Sequence, residues 1–188
     1  MLKVAESLPY SLTADEVPEI SGVGNYALTV RSSDGKKDAC VLYCIDSNTY
    51  STIKGVKGYD YIKRDQIDWY CKKSAEFTRN NGGEPVPSLA FFHIALPEFN
   101  QAASDENAQL YGIRREKACA PALNSGLFTA IKENGDVMGV FVGHDHDDDY
   151  AVCWYDVLLA YGRFTGGPTE YIHIPNGACL LYTSDAAD

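Results

Sequence analysis

Asp136–His146 reads DVMGVFVGHDH. Val137 to Val142 is an apolar run of strand length. Gly143 stops it, and His144 and His146 follow with only Asp145 between them. Side chains alternate along an extended chain, so a His-x-His pair leaving a strand turns both imidazoles to one side. Sites in α/β proteins gather at the carboxyl ends of sheet strands, and imidazole suits zinc, iron and related metals. Two loop histidines facing water would carry the same local pattern, so a second stretch has to speak for a site.

That stretch is Ser88–Ala95 (SLAFFHIA), which follows Pro87 and is again apolar and of strand length. Such a run is expected to be buried on both faces of a sheet. His93 sits near its end. A lone histidine there would ordinarily be a satisfied core residue. Two apolar strands that each end in histidine can lie side by side and deliver their imidazoles to one rim.

Around these runs the pattern alternates between strands and helices. Gly24–Ser32 and Asp38–Asp46 read as a hairpin across the turn Ser33–Lys36. Lys63–Asn80 has helical spacing, with Ile62, Gln66, Trp69, Lys73 and Phe77 on one stripe, and Asn81-Gly82-Gly83 ends it. Leu123–Asn134 is a second helix, stopped by Gly135. Tyr150–Ala160 reads as a strand pair bent near Asp156. Residues 1–22 read as an irregular connection, and residues 97–121 as loop or short helix. Interleaved strands and helices predict an α/β fold with a mixed β-sheet layered with helices.

Composition narrows the function. The chain of 188 residues carries a net charge of -10, so a basic nucleic-acid-binding face is excluded. A phosphate ester would need local cations to overcome that repulsion. No apolar run approaches the roughly 18 residues that span a bilayer. The six cysteines show no CxxC spacing, and those in ACVLYCID read as buried thiols.

His93, then Gly143-His144-x-His146, resembles the last two motifs of calcineurin-like metallophosphoesterases. ISGVGNYALTV, YCIDSNTYS, GYDYIKRDQIDWY, FFHIALPEFNQAA, GHDHDDDY and AYGRFTGGPTEY, in that order, are similar to the purple-acid-phosphatase-like branch. The resemblance covers roughly residues 2–178. It implies the C-terminal half of a four-layer α/β/β/α sandwich with two metal ions (Fe, Mn or Zn) at the sheet ends. By carry-over His93 and His144 bind one metal and His146 the other. The substrate implied is a phosphate ester, clamped between the two cations for in-line attack. Asp145 and Asp147 are candidates to hold the imidazoles in their tautomers.

Departures from the family pattern shape the expectation. Its Asp-x-His, Gly-Asp-x-x-Asp and Gly-Asn-His motifs do not occur in the chain. They supply the bridging aspartate, the asparagine ligand and the histidine that meets substrate. Residues 1–178 are therefore read as the C-terminal part of the domain, with Met1 internal to a longer frame and the chain by itself inactive. Residues 179–188 (CLLYTSDAAD) match one frame of a common sequencing-library adapter and are read as non-native. Catalytic residues would belong to the missing half, and exposed sheet edges and apolar faces predict poor solubility.

Other residues read as structural. These are Gln66 and Trp69, packed on the sheet; Arg163, in a salt bridge; His173; and the acidic run Asp145–Asp149, as a solvated loop. Two alternatives stay open: a single zinc held by all three histidines, and a sheet-based binding module whose histidines are incidental.

Overall fold

The computed structural model describes residues 2–167 and 171–181. Residues 168–170, within the last family-like stretch, and 182–188 of the adapter-like segment lie outside the described residues.

A short helix α1 (Leu2–Glu6) precedes the hairpin β1 (Tyr26–Arg31) and β2 (Asp38–Cys44). Then come α2 (Arg64–Asn80), β3 (Ser88–Phe91), α3 (Pro97–Ala102), β4 (Leu110–Tyr111), α4 (Leu127–Asn134), β5 (Val137–Val142), β6 (Ala151–Trp154) and β7 (Val157–Tyr161). The seven strands form one mixed sheet in the order β1-β2-β3-β5-β7-β6-β4. The four central strands β2, β3, β5 and β7 run parallel, and the outer pairings are antiparallel. All four central strands therefore end on the same edge. The α/β mixed-sheet reading holds, and one sheet with its helices is the content expected of half a four-layer sandwich.

One face of the sheet is the core. Val41, Tyr43, Ala90, Val140 and Leu159 lie there in register and are buried, as are Trp69 and Tyr70 of α2 and Leu127 and Ile131 of α4. Residues of the opposite parity face away from that core. Leu42, Leu89, Phe91 and Phe141 are only half-buried, and Met138, at the irregularity in the β3–β5 register, is 53% exposed. The expectation that Ser88–Ala95 is buried on both faces is thus corrected, because among the described residues the helices cover one face only. The Phe91 and Phe141 rings stack on the open face, with centroids 5.2 Å apart.

Local chemistry sets the element ends. At the start of α2 the Gln66 side chain accepts the Lys63 N–H at 2.8 Å, satisfying a donor that helix geometry leaves free. The expected helix Leu123–Asn134 begins only at Leu127. The Asn124 side chain accepts the Gly126 N–H at 2.8 Å and holds the preceding residues in a turn. At its other end Gly135 adopts φ 70°, and its N–H closes on Ile131. Tyr155 and Asp156 make the tight turn between β6 and β7, both with positive φ.

Three side chains pin the irregular N-terminal segment. Asp46 accepts the Val23 N–H at 2.8 Å. Gln66, fully buried, donates to Asn25 and to the Asp46 carbonyl and so exceeds the packing role expected of it. Asp65 accepts both the N–H and the hydroxyl of Ser21 at 2.9 Å. Gly22 is required at φ 81°, because a Cβ there would meet the Asp46 Cβ at 2.8 Å.

Burial pushes the Asp65 carboxyl up, but the Ser21 N–H and hydroxyl and the Gln66 N–H outweigh it and leave the pKa below its ordinary value. A depressed carboxyl contributes stability above the unfolded value of about 3.9 and loses it as pH falls toward the folded value. Asp65→Asn is expected to flatten the fall in stability below about pH 4 and to cost about 1 kcal/mol at pH 7. Urea melts at pH 3 to 7 check it, and an unchanged acid limb rejects it.

Candidate metal centre

The loops after β2, β3, β5 and β7 meet at the common edge of the sheet. Pairing between β3 and β5 runs beyond both strands: Phe92 N–H donates to the Phe141 carbonyl at 3.2 Å, and Gly143 N–H to the His93 carbonyl at 3.0 Å. That bond sets His93 beside Gly143, where a Cβ would already touch the imidazole at 3.4 Å.

His144 then departs from extended geometry. Its φ is 79°, and the Asp145 N–H closes on the Gly143 carbonyl at 3.0 Å, which makes a three-residue γ-turn of the strained kind. The simple alternation expected of His-x-His is therefore replaced by a reversal centred on His144. Its Nδ1 lies 3.1 Å from His93 Nε2, with the rings at 87°. The two nitrogens lie within hydrogen-bond distance, and any donor or acceptor role is set by the tautomers. Burial at this edge lowers the His93 pKa, and the neighbouring His144 and His146 add to the effect. The neutral imidazole favoured in this way is the form that ligates metals.

His146 goes elsewhere in the same cleft. Its ring stacks with Phe164 at 4.2 Å and with Tyr171 at 5.2 Å, and among the described residues its buried Nδ1 has no hydrogen-bond partner. The three histidines, with Gly143, Gly162 and Thr165 among their neighbours, line one cleft of about 220 Å³. Only His93 and His144 are in contact. Among the described residues no three His, Cys, Asp or Glu side chains converge as a metal-binding group.

The donor chemistry fits a metal in part: a facing pair of imidazoles, and an unpartnered buried nitrogen on a third. The carboxylates are committed elsewhere. Asp145 accepts the Tyr161 hydroxyl at 2.6 Å and the Cys119 N–H at 3.1 Å. Asp147 holds the N–H and Nδ1 of His173. Neither bonds to the three cleft histidines, so the expectation that one of them orients a ligand is not met.

The acidic run is not a solvated loop. Asp145, Asp147 and Asp148 are all buried. Asp148 accepts the Arg115 and Glu116 N–H groups, and Asp149 accepts the Ile113 N–H and pairs with Arg163. Loop 113–119 has backbone donors but no strand partner, and these carboxylates supply the acceptors. Burial raises the Asp148 pKa despite its two N–H donors. Arg163 also donates to the Pro175 carbonyl, which makes it structural as expected. His173 is held by the Asp147 carboxylate, the structural role expected of it.

Sequence reasoning missed the aromatic rim. Tyr59 meets His144 edge to face at 4.4 Å and stacks on Tyr50, while Phe164 and Tyr171 flank His146. Residues this far apart in the chain carry no spacing signal; the family-like segments GYDYIKRDQIDWY and AYGRFTGGPTEY contained Tyr59, Phe164 and Tyr171 without marking them.

The fold and cleft define an α/β protein with a histidine-lined site at parallel strand ends. Over 169 residues the chain is 38% identical to Probable inactive purple acid phosphatase 29 of Arabidopsis thaliana, covering 82% of this chain and 43% of that protein. It is 34% identical over 182 residues to Probable inactive purple acid phosphatase 14 of the same organism, covering 88% and 45%. It is 37% identical over 164 residues to Phosphatase DCR2 of Saccharomyces cerevisiae, covering 80% and 27%. The relatives are purple-acid-phosphatase-like proteins, as the motifs implied. The chain spans less than half the length of each of these relatives. No family model matches the chain. No solved structure matches it either.

His144 at positive φ yields a sharp comparison. His144→Gly and His144→Ala both remove the imidazole, but only alanine keeps the left-handed strain. The glycine variant is expected to be about 1 kcal/mol the more stable of the two, as read from urea melts; equal stabilities would remove the γ-turn strain from the account.

Proposed function

We propose that this chain carries the C-terminal strand ends of a metal-dependent phosphoesterase that hydrolyses phosphate esters in the longer protein. The observation that carries the reading is the His93–His144 pair, 3.1 Å apart at the ends of adjacent parallel strands. Purple-acid-phosphatase-like relatives support the substrate class. In this reading His93 and His144 hold one metal ion and His146, through its unpartnered side, a second. Bound there, the ions supply a Lewis acid for the phosphoryl group and an activated water. The chain's own part is to fix the imidazoles. The β3–β5 hydrogen bonds place His93, the γ-turn presents His144, and Phe164 and Tyr171 restrain the ring of His146. Iron, manganese and zinc all suit these donors.

Three histidines without a bridging carboxylate form an incomplete binuclear centre. The chain alone is therefore expected to bind metal weakly and not to turn over phosphate esters. A second reading, a metal-binding but non-catalytic member, is favoured by the word inactive in the names of two relatives.

Calorimetric titration with Zn²⁺ tests the assignment. His93→Ala and His144→Ala are each expected to weaken binding at least about tenfold, and His173→Ala to leave it unchanged. Equal loss in all three variants, or in none, would reject the pair as a metal site. p-Nitrophenyl phosphate turnover by a longer chain that includes the missing motifs would separate the catalytic reading from the inactive one.

A further inference from the structure

Beside the histidine cleft lies a larger cavity of about 690 Å³, of the size that takes small organic ligands. Among the described residues its wall of eight includes Tyr59, Phe164, Tyr171, Cys119 and Asp145 beside His144 and His146, with no lysine or arginine. The Asp145 carboxylate is held by the Tyr161 hydroxyl and the Cys119 N–H, and three of the eight are phenyl or phenol rings. Tyr59 and Phe164 are half-buried and Tyr171 is 49% exposed, while Tyr50, which backs Tyr59 with rings 5.0 Å apart, is 64% exposed.

Single exposed aromatics are ordinary on a protein surface, but a group of them around one concavity is informative. Tyr59 reaches the edge-to-face position on His144, and Phe164 and Tyr171 reach His146. The rings therefore stand directly beside two of the imidazoles assigned to metal binding. A ligand with its charged end at the histidines would have its organic remainder against π-faces and a thiol. Polyols and short aliphatic groups gain little from such a wall, whereas planar rings stack on it.

We infer that this cavity is a leaving-group subsite selecting phosphate esters of planar aromatic groups, with Tyr59 as its specificity-determining wall. The inference rests on the phosphoesterase reading for the phosphate end and on the cavity alone for the aromatic end. Tyr59 offers the cleanest handle, because Phe164 and Tyr171 also hold His146. Its loop is tied down independently: Asp60 N–H donates to the Thr49 carbonyl at 2.8 Å, and Ser51 N–H to the Gly58 carbonyl at 3.0 Å.

Affinity is measured on the chain with Zn²⁺ present, by ligand-observed NMR, for phenylphosphonate, methylphosphonate and benzyl alcohol. These probes are not hydrolysed, so the result does not depend on turnover. Phenylphosphonate is expected to bind about tenfold more tightly than methylphosphonate, the effect of one stacked ring. Tyr59→Leu, which keeps apolar bulk and loses the π-face, should reduce that ratio to about threefold or less, and Tyr59→Phe should preserve it. Tyr50→Leu, which removes the ring that backs Tyr59, should give a smaller reduction in the same direction should Tyr59→Leu fail to fold. Equal binding of the two phosphonates, no binding of phenylphosphonate, or a ratio indifferent to Tyr59→Leu overturns the subsite. Benzyl alcohol binding as tightly as phenylphosphonate would leave aromatic recognition standing and sink the phosphate-ester reading beneath it.

Discussion

The hydrogen bond from the Gly143 N–H to the His93 carbonyl extends the β3–β5 ladder past the last strand residues. Register between parallel strands is set by where their side chains are buried, since a slip of one residue would exchange the core and open faces. Val41, Ala90, Val140 and Leu159 fix that register from the core side. Once it is set, His93 lies level with Gly143, and the turn at His144 brings the second imidazole against it. The imidazole pair is thus a consequence of core packing several residues below it.

Acidic residues do two kinds of work in this chain. At the base of the sheet the Tyr43 and Tyr70 hydroxyls donate to the buried Asp136, and burial together with that carboxylate raises both tyrosine pKa values. At the other end Asp145, Asp147, Asp148 and Asp149 hold loop 113–119, Tyr161, His173 and Arg163 around the cleft. These carboxylates face N–H and O–H donors that would otherwise be buried without acceptors. The net charge of -10 therefore overstates the negative surface near the histidines.

The same arrangement separates the three histidines. His93 and His144 meet because they share the strand edge. His146 is drawn aside by two aromatic rings, and the carboxylates that flank it in sequence point into the protein. A cleft with imidazoles on one wall and aromatic rings on the next has different demands at its two ends: charge for one part of a ligand, a planar face for the other.

The apolar runs Val137–Val142 and Ser88–Phe91, the hairpin, the long helix α2 and the Gly-His-x-His edge could all be read from residue order. Each is governed by local burial pattern and by neighbours a few positions away. Family resemblance added which histidines to watch. What the order of residues could not supply was anything depending on contacts across more than about 20 positions. The burial of the acidic run, the Asp147–His173 bond and the convergence of Tyr59, Phe164 and Tyr171 all belong there, while the γ-turn at His144 is local but has no residue signature of its own. A run of aspartates looks solvated until a distant loop brings its unpaired N–H groups to them, and an aromatic residue becomes a wall only when the strands beside it set the cavity. Periodicity determined the strands and their polarity along the chain, and tertiary packing alone decided which polar groups they buried and which rings met at their ends.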